Sequence, residues 1–80
     1  MAYRNINLKE FMKLIRDTEE FRIEITHNWR RYRDYFDGDN LFTKQTVPEV
    51  FEELRIEQIN LGYGDEETCI FLFGEDYEED

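Results

Sequence analysis

Carboxylates are the residues of this chain best placed to do chemistry. The last seven residues, GEDYEED from Gly74 to Asp80, carry five of them around Tyr77: Glu75, Asp76, Glu78, Glu79 and Asp80. Asp65, Glu66 and Glu67 form a second set after Gly64, and Asp37 and Asp39 a third on either side of Gly38. Carboxylates held a few Å to about 10 Å apart on a rigid frame can replace duplex phosphates on a Lys/Arg-rich surface, because the same charge-assisted hydrogen bonds are made. Tyr77 can add a contact of the kind enriched in interface hot spots. The competing reading of the tail is a solvated terminal charge run.

Other reactive groups are few. His27 and Cys69 are the single histidine and the single cysteine. A nucleophilic pair would need them adjacent in space with a third orienting group, and a buried cysteine acting as a small hydrophobe is the more common use. There is no glycine-rich phosphate loop and no GxSxG. The run DYFDGDN gathers Asp34, Asp37, Asp39 and Asn40, but no register puts glycine at the sixth and glutamate at the twelfth position of a calcium loop. The expectation is therefore no catalytic residue, no metal and no cofactor. WRRYR, Trp29 to Arg33, interleaves aromatics with arginine as single-strand nucleic-acid sites do. The acidic chain around it favours a protein interface instead.

Charge is the strongest compositional signal. Twenty acids stand against ten Lys and Arg, a net charge of −10 on 80 residues. Residues 1–33 hold eight bases and five acids, whereas residues 34–80 hold two bases and fifteen acids. Such a field repels nucleic acid and anionic membranes and attracts basic protein surfaces. Acidity also serves solubility, and that is the bland alternative. There is no apolar run of membrane-spanning length, no apolar signal core near the N-terminus, and one cysteine that cannot form an intramolecular disulfide. A reducing cytoplasm is the expected compartment, that of the host cell if the chain is phage-encoded.

The elements that must position these groups follow from periodicity. Eighty residues make one domain, 1–80, with an acidic tail at 74–80. Asn7 and Glu10 have capping-box spacing, and Leu8, Phe11, Met12 and Ile15 fall on one helical face, predicting a first helix that ends near residues 17–19. FRIEI alternates strictly and predicts a strand, with His27 and Trp29 continuing its apolar phase. Residues 29–42 read as a short hairpin around Asp37–Asn40, or alternatively as a short helix over Trp29–Tyr35. Thr46, Pro48 and Glu49 predict the start of a second helix carrying Val47, Val50, Phe51 and Leu54 on one face, with Glu49, Glu52 and Glu53 outside. Residues 55–73 read as a closing hairpin that turns at Gly64–Glu66. Its last strand, TCIFLF, is apolar on both faces, as a central strand or an oligomer interface would be. The expected class is α+β, in the order α-β-β-α-β-β, with two helices on one face of a small antiparallel sheet.

With LKEF at Leu8–Phe11, the alternating strand Phe21–Ile25, the PEV…EEL segment Pro48–Leu54 and the closing hairpin, the chain resembles small proteins of phages and mobile elements. In size and acidity it is similar to anti-CRISPR inhibitors, some of which present acidic surfaces to the DNA-binding grooves of CRISPR effectors. The resemblance implies a non-enzymatic, DNA-mimic inhibitor that binds a basic nucleic-acid-binding groove and excludes DNA without contacting nucleic acid itself. The expected contact residues are Asp37, Asp39, Asp65, Glu66, Glu67, Asp76, Tyr77, Glu78 and Glu79, with Glu10 and Glu19 expected to stand outside the contact. The alternative is a homo-oligomeric interaction module built on CIFLF and WRRYR, its acidity serving solubility.

Overall fold

The computed structural model describes residues 6–36 and 38–74. They form an α+β fold, a four-stranded sheet with short helices packed on one face. The strands are β1 (Phe21–Ile25), β2 (Leu41–Phe42), β3 (Arg55–Asn60) and β4 (Thr68–Phe73), and their order across the sheet is β2-β1-β4-β3. β3 and β4 form the expected antiparallel hairpin, with an irregularity between Ile56 and Gln58.

The sheet is mixed rather than antiparallel. β1 runs parallel to β4, from Phe21 opposite Thr68 to Ile25 opposite Leu72. The reason lies in chain length. The 42 residues between Ile25 and Thr68 include a whole hairpin strand, long enough for the crossover that a parallel pair needs. β4 is thus central and both of its neighbours are paired. This accounts for its apolar composition on both faces.

Alternation divides the sheet into two faces. Phe21, Ile23 and Ile25 of β1 and Ile70 and Leu72 of β4 are buried on one face. Helix α1 (Leu8–Met12) covers it with Leu8 and Met12, and Phe11 and Ile15 pack at the margin. The side chain of Asn7 accepts from the Glu10 amide at 3.0 Å, the cap expected from the spacing. The helix ends earlier than expected. After Met12 the bonds tighten to the i→i+3 type, with Leu14 N–H donating to Phe11 C=O at 2.9 Å. Backbone bonds from Leu8 N–H to Leu54 C=O (3.1 Å) and from Ile56 N–H to Ile6 C=O (2.8 Å) pin the start of α1 to the start of β3.

Residues 29–36 adopt the helical alternative, not the first arm of a hairpin. Asn28 sits in the left-handed region (φ 59°), which ends the strand and turns the chain into α2 (Trp29–Tyr32) and a 3-10 turn over Arg33–Tyr35. Tyr32, Tyr35 and Phe36 are spaced 3 and 4 apart, so one helical face presents all three rings. The second predicted helix is a 3-10 helix, Glu49–Glu53. The expected capping box is not formed, because Thr46 Oγ1 accepts from the Thr43 amide (2.9 Å) in an earlier turn. Pro48 and Leu54 are both extended, which leaves five residues between them, too few for a stable α-helix.

Those five residues deliver Phe51, whose ring is fully buried. Tyr32, Tyr35, Phe36 and Phe42 surround it, with ring centroids 5.9, 5.8, 5.3 and 6.2 Å away. Truncating a buried phenylalanine costs about 3–5 kcal/mol, against a total stability of order 5–15 kcal/mol for a small domain. Phe51→Ala is expected to lower the unfolding free energy by about 3–5 kcal/mol in a urea titration at 25 °C, whereas Leu61→Ala, at an exposed position, should shift it by less than about 0.5 kcal/mol. Equal midpoints for the two variants would remove Phe51 from the centre of the core.

Candidate functional site

Parallel pairing places the first residues of β1 and β4 side by side. The residues just before each strand therefore meet at one end of the sheet, and in both segments they are acidic. Thr18, Glu19 and Glu20 precede β1; Asp65, Glu66 and Glu67 precede Thr68 of β4. Together with Gly62 and Gly64 they line an open cleft of about 400 Å³. Five exposed carboxylates from two distant parts of the chain surround it.

Local chemistry fixes both walls. The β3–β4 connection turns through Gly64 in the left-handed region (φ 64°), and a side chain at Gly62 would collide with the backbone carbonyl of Glu66. Gly62 N–H donates to Thr68 Oγ1 at 3.1 Å and Glu66 N–H to Tyr63 C=O at 3.1 Å, which holds the turn. On the other wall, Lys44 Nζ donates to Ile15 C=O (2.8 Å) and pairs with Asp17 (3.3 Å), tying down the loop that leads to Glu19 and Glu20. Arg22 links the cleft to the sheet. Its guanidinium pairs with Glu67 at 3.1 Å and donates to Asn40 Oδ1 at 2.7 Å. Both partners of the Arg22–Glu67 pair are well exposed, so its role is positional more than energetic.

The expected contact residues do not form one cluster. Asp65, Glu66 and Glu67 are in the cleft. Asp39 is exposed beside Asn40, beyond β2 and toward the opposite end of β1. Asp37, Asp76, Tyr77, Glu78 and Glu79 lie outside the described residues. The chain leaves the sheet at Gly74, at the far end of β4 from the Asp65–Glu67 turn. Glu19, which was expected outside the contact, is a wall of the cleft, and Glu20 was overlooked. The signal was present: Glu-Glu immediately precedes both Phe21 and, as Glu66-Glu67, Thr68. Only the parallel register brings the two pairs together.

The remaining chemical candidates separate. Cys69 is paired in register with Arg22 on β1 and Asn60 on β3, whereas His27 stacks on Phe73 with centroids 4.4 Å apart. Four residue steps along β4, roughly 13 Å at 3.3 Å each, separate Cys69 from Phe73. Burial, then the nearby Glu24 carboxylate, pushes the Cys69 thiol above its ordinary range, the reverse of what activates a nucleophile. Asn40 spends its side chain on Arg22, Ile23 and Glu24. No group of three His, Cys, Asp or Glu side chains among the described residues could hold a metal ion. No helix among them is long and apolar enough to cross a membrane. The arginines of WRRYR lie on α2 and its 3-10 extension, with Arg31 5.7 Å from the Tyr32 ring and Arg33 6.0 Å from the Trp29 ring.

No family model, no curated protein and no solved structure matches this chain.

The raised thiol predicts low reactivity. At pH 8, Cys69 is expected to react with a disulfide reagent such as DTNB more slowly than a free cysteine, with a rate still rising above pH 9 because more thiolate forms there. A fast reaction that levels off below pH 7 would instead mark an activated cysteine.

Proposed function

We propose that this protein is a non-enzymatic inhibitor that docks its acidic cleft on a basic, nucleic-acid-binding groove of another protein and so keeps nucleic acid out. One observation carries the reading. Two separate chain segments supply five carboxylates to a single open cleft, and these carboxylates are not grouped as metal ligands are. Carboxylates spread over a surface suit several separate cations, as on a Lys/Arg-rich groove, better than one chelated ion. In the free protein their mutual repulsion is tolerated because water and salt screen it. On a basic partner each carboxylate gains a charge-assisted hydrogen bond where a phosphate would otherwise sit. The net charge of −10 steers the approach.

The likeness to anti-CRISPR inhibitors makes CRISPR effectors the first grooves to test. The second reading is a homo-oligomer on the outer face of the sheet, where Cys69, Phe71 and Phe73 are half-buried. Part of that face is already covered, since Phe73 carries the His27 ring on one side and the Arg55 guanidinium, 4.4 Å from its centroid, on another.

The test is a pull-down of purified CRISPR effectors and restriction enzymes across a salt series, with and without their DNA. Binding should weaken as salt rises and should compete with DNA. Replacing Asp65, Glu66 and Glu67 together by lysine should weaken binding by at least about tenfold, and so should replacing Glu19 and Glu20, whereas Glu10→Lys should change it less than about twofold. Retention of full binding by the Glu19/Glu20 variant would sink the two-walled cleft. A tight, salt-insensitive dimer by light scattering, with no effector bound, would favour the oligomer instead.

A further inference from the structure

The ladder along the β2 side of β1 stops short. β2 pairs only with Phe21 and Arg22. Asn40 extends the contact by one position. Its carbonyl accepts from Ile23 N–H at 3.0 Å and its side-chain amide donates to Ile23 C=O at 3.2 Å, so one residue serves both backbone groups. Thr26 N–H donates to Leu72 on the opposite side of β1. Strand alternation therefore turns the N–H and C=O of Ile25 toward the same edge as those of Ile23.

Past the Asn40 contact, α2 and the Arg33–Tyr35 turn face the β1 edge. A groove of about 410 Å³ is left between these turns and the β1 edge. Ile25, Trp29 and Phe36 give it apolar walls; Arg33 and Asn40 give it polar ones. Trp29, the single tryptophan of the chain, is 52% exposed there. The Arg33 guanidinium lies over the Trp29 ring and has no ion-pair partner among the described residues. Glu24, the acid in the lining, is engaged by the side-chain amide of Asn40 at 3.2 Å.

We propose that this groove binds an extended peptide segment of a partner protein, added as a short strand to the β1 edge at Ile25, with an apolar side chain against Trp29 and Phe36 and a carboxylate on Arg33. Each part of the occupant answers a feature of the groove. The strand edge supplies backbone hydrogen bonds, and pockets for alternate side chains give selectivity in such additions. The exposed tryptophan and Phe36 call for an apolar side chain. The guanidinium, without an ionic partner among the described residues, calls for a carboxylate, since planar bidentate pairing is the strongest contact arginine makes. One carboxylate suits the site better than several. At physiological salt, fields are screened over about 8 Å, so Arg33 governs a single neighbouring charge while a run of acids would meet the negative remainder of the molecule. The groove uses residues distinct from the acidic cleft, so either site can fail without the other.

The experiment is an NMR titration of the ¹⁵N-labelled full chain. The probe is a synthetic eight-residue peptide of alternating valine and threonine with one central glutamate, blocked at both ends. Shifts are expected at the Ile25 amide, the Trp29 indole N–H and the amides of Arg33 and Phe36. Changing the peptide glutamate to glutamine, or Arg33→Gln in the protein, should weaken binding by about tenfold. Arg33 is exposed, so that variant should keep the circular dichroism of the parent. Absence of shifts at millimolar peptide, shifts confined to the Cys69–Phe73 face, or equal affinity for the glutamine peptide would overturn the proposal. So would peptide-dependent displacement of the resonances of residues 75–80 from the groove, which would make the chain's own end the occupant.

Discussion

The Phe51 ring is the contact on which the irregular half of this fold depends. Between Asn28 and Leu54 the chain has a four-residue helix, three-residue and five-residue 3-10 helices and a two-residue strand. None of these would be stable alone, since each closes too few hydrogen bonds to offset the cost of ordering it. What they share is an aromatic side chain directed at one point. Tyr32 and Tyr35 meet Phe51 edge-on, Phe36 is tilted against it, and Phe42 comes from the strand side. Offset and edge-to-face pairs add to simple burial. The floor below is the regular half, the Ile23, Ile25, Ile70 and Leu72 surface of β1 and β4. The open edge of β1 owes its shape to the same cluster, because the turns that swing away from it are the ones held on Phe51.

The second constraint is strand direction. With β1 and β4 parallel, the two ends of the sheet become chemically different. One end collects the segments entering both strands, and both segments are acidic. The other end collects the segments leaving them, where Thr26–Trp29 carry the chain into α2 and Gly74 follows Phe73. A carboxylate cleft and an arginine-bearing aromatic groove therefore sit at opposite ends of the same strand. An antiparallel pair would have mixed entering and leaving segments at each end.

Much of this was legible in the sequence, and what was missed has identifiable causes. The Asn7 cap, the Leu8–Met12 face, the alternation of Phe21–Ile25 and the β3–β4 hairpin were all readable because each is encoded by neighbours within a few residues. The helical form of Trp29–Tyr32 was one of two readings, and Asn28 in the left-handed region decided it. The 3-10 character of Glu49–Glu53 was hidden because Thr46 and Glu49 have the spacing of a capping box, and Thr46 instead closed a turn with Thr43. The site was half visible. Asp65, Glu66 and Glu67 announced themselves as a run beside a glycine, but their partners Glu19 and Glu20 lie 45 or more positions earlier, and only the register of a parallel pair relates them. Local pattern carries no information about that register.

The same pairing has a consequence for how the molecule comes into being. The ladder that joins residues 21–25 to residues 68–72 pairs positions 47 apart, more than half the chain, so its closure costs loop entropy and raises the mean sequence separation of contacts. β1 reaches its place beside a central strand only after Leu72 has been synthesised. Until then Phe21, Ile23 and Ile25 have no full partner, and a nascent chain must hold an alternating apolar strand in water. Fragments ending before β4 would keep that strand open to other chains. For a protein of this size, folding is therefore nearly all-or-none along the sequence as well as in the equilibrium sense.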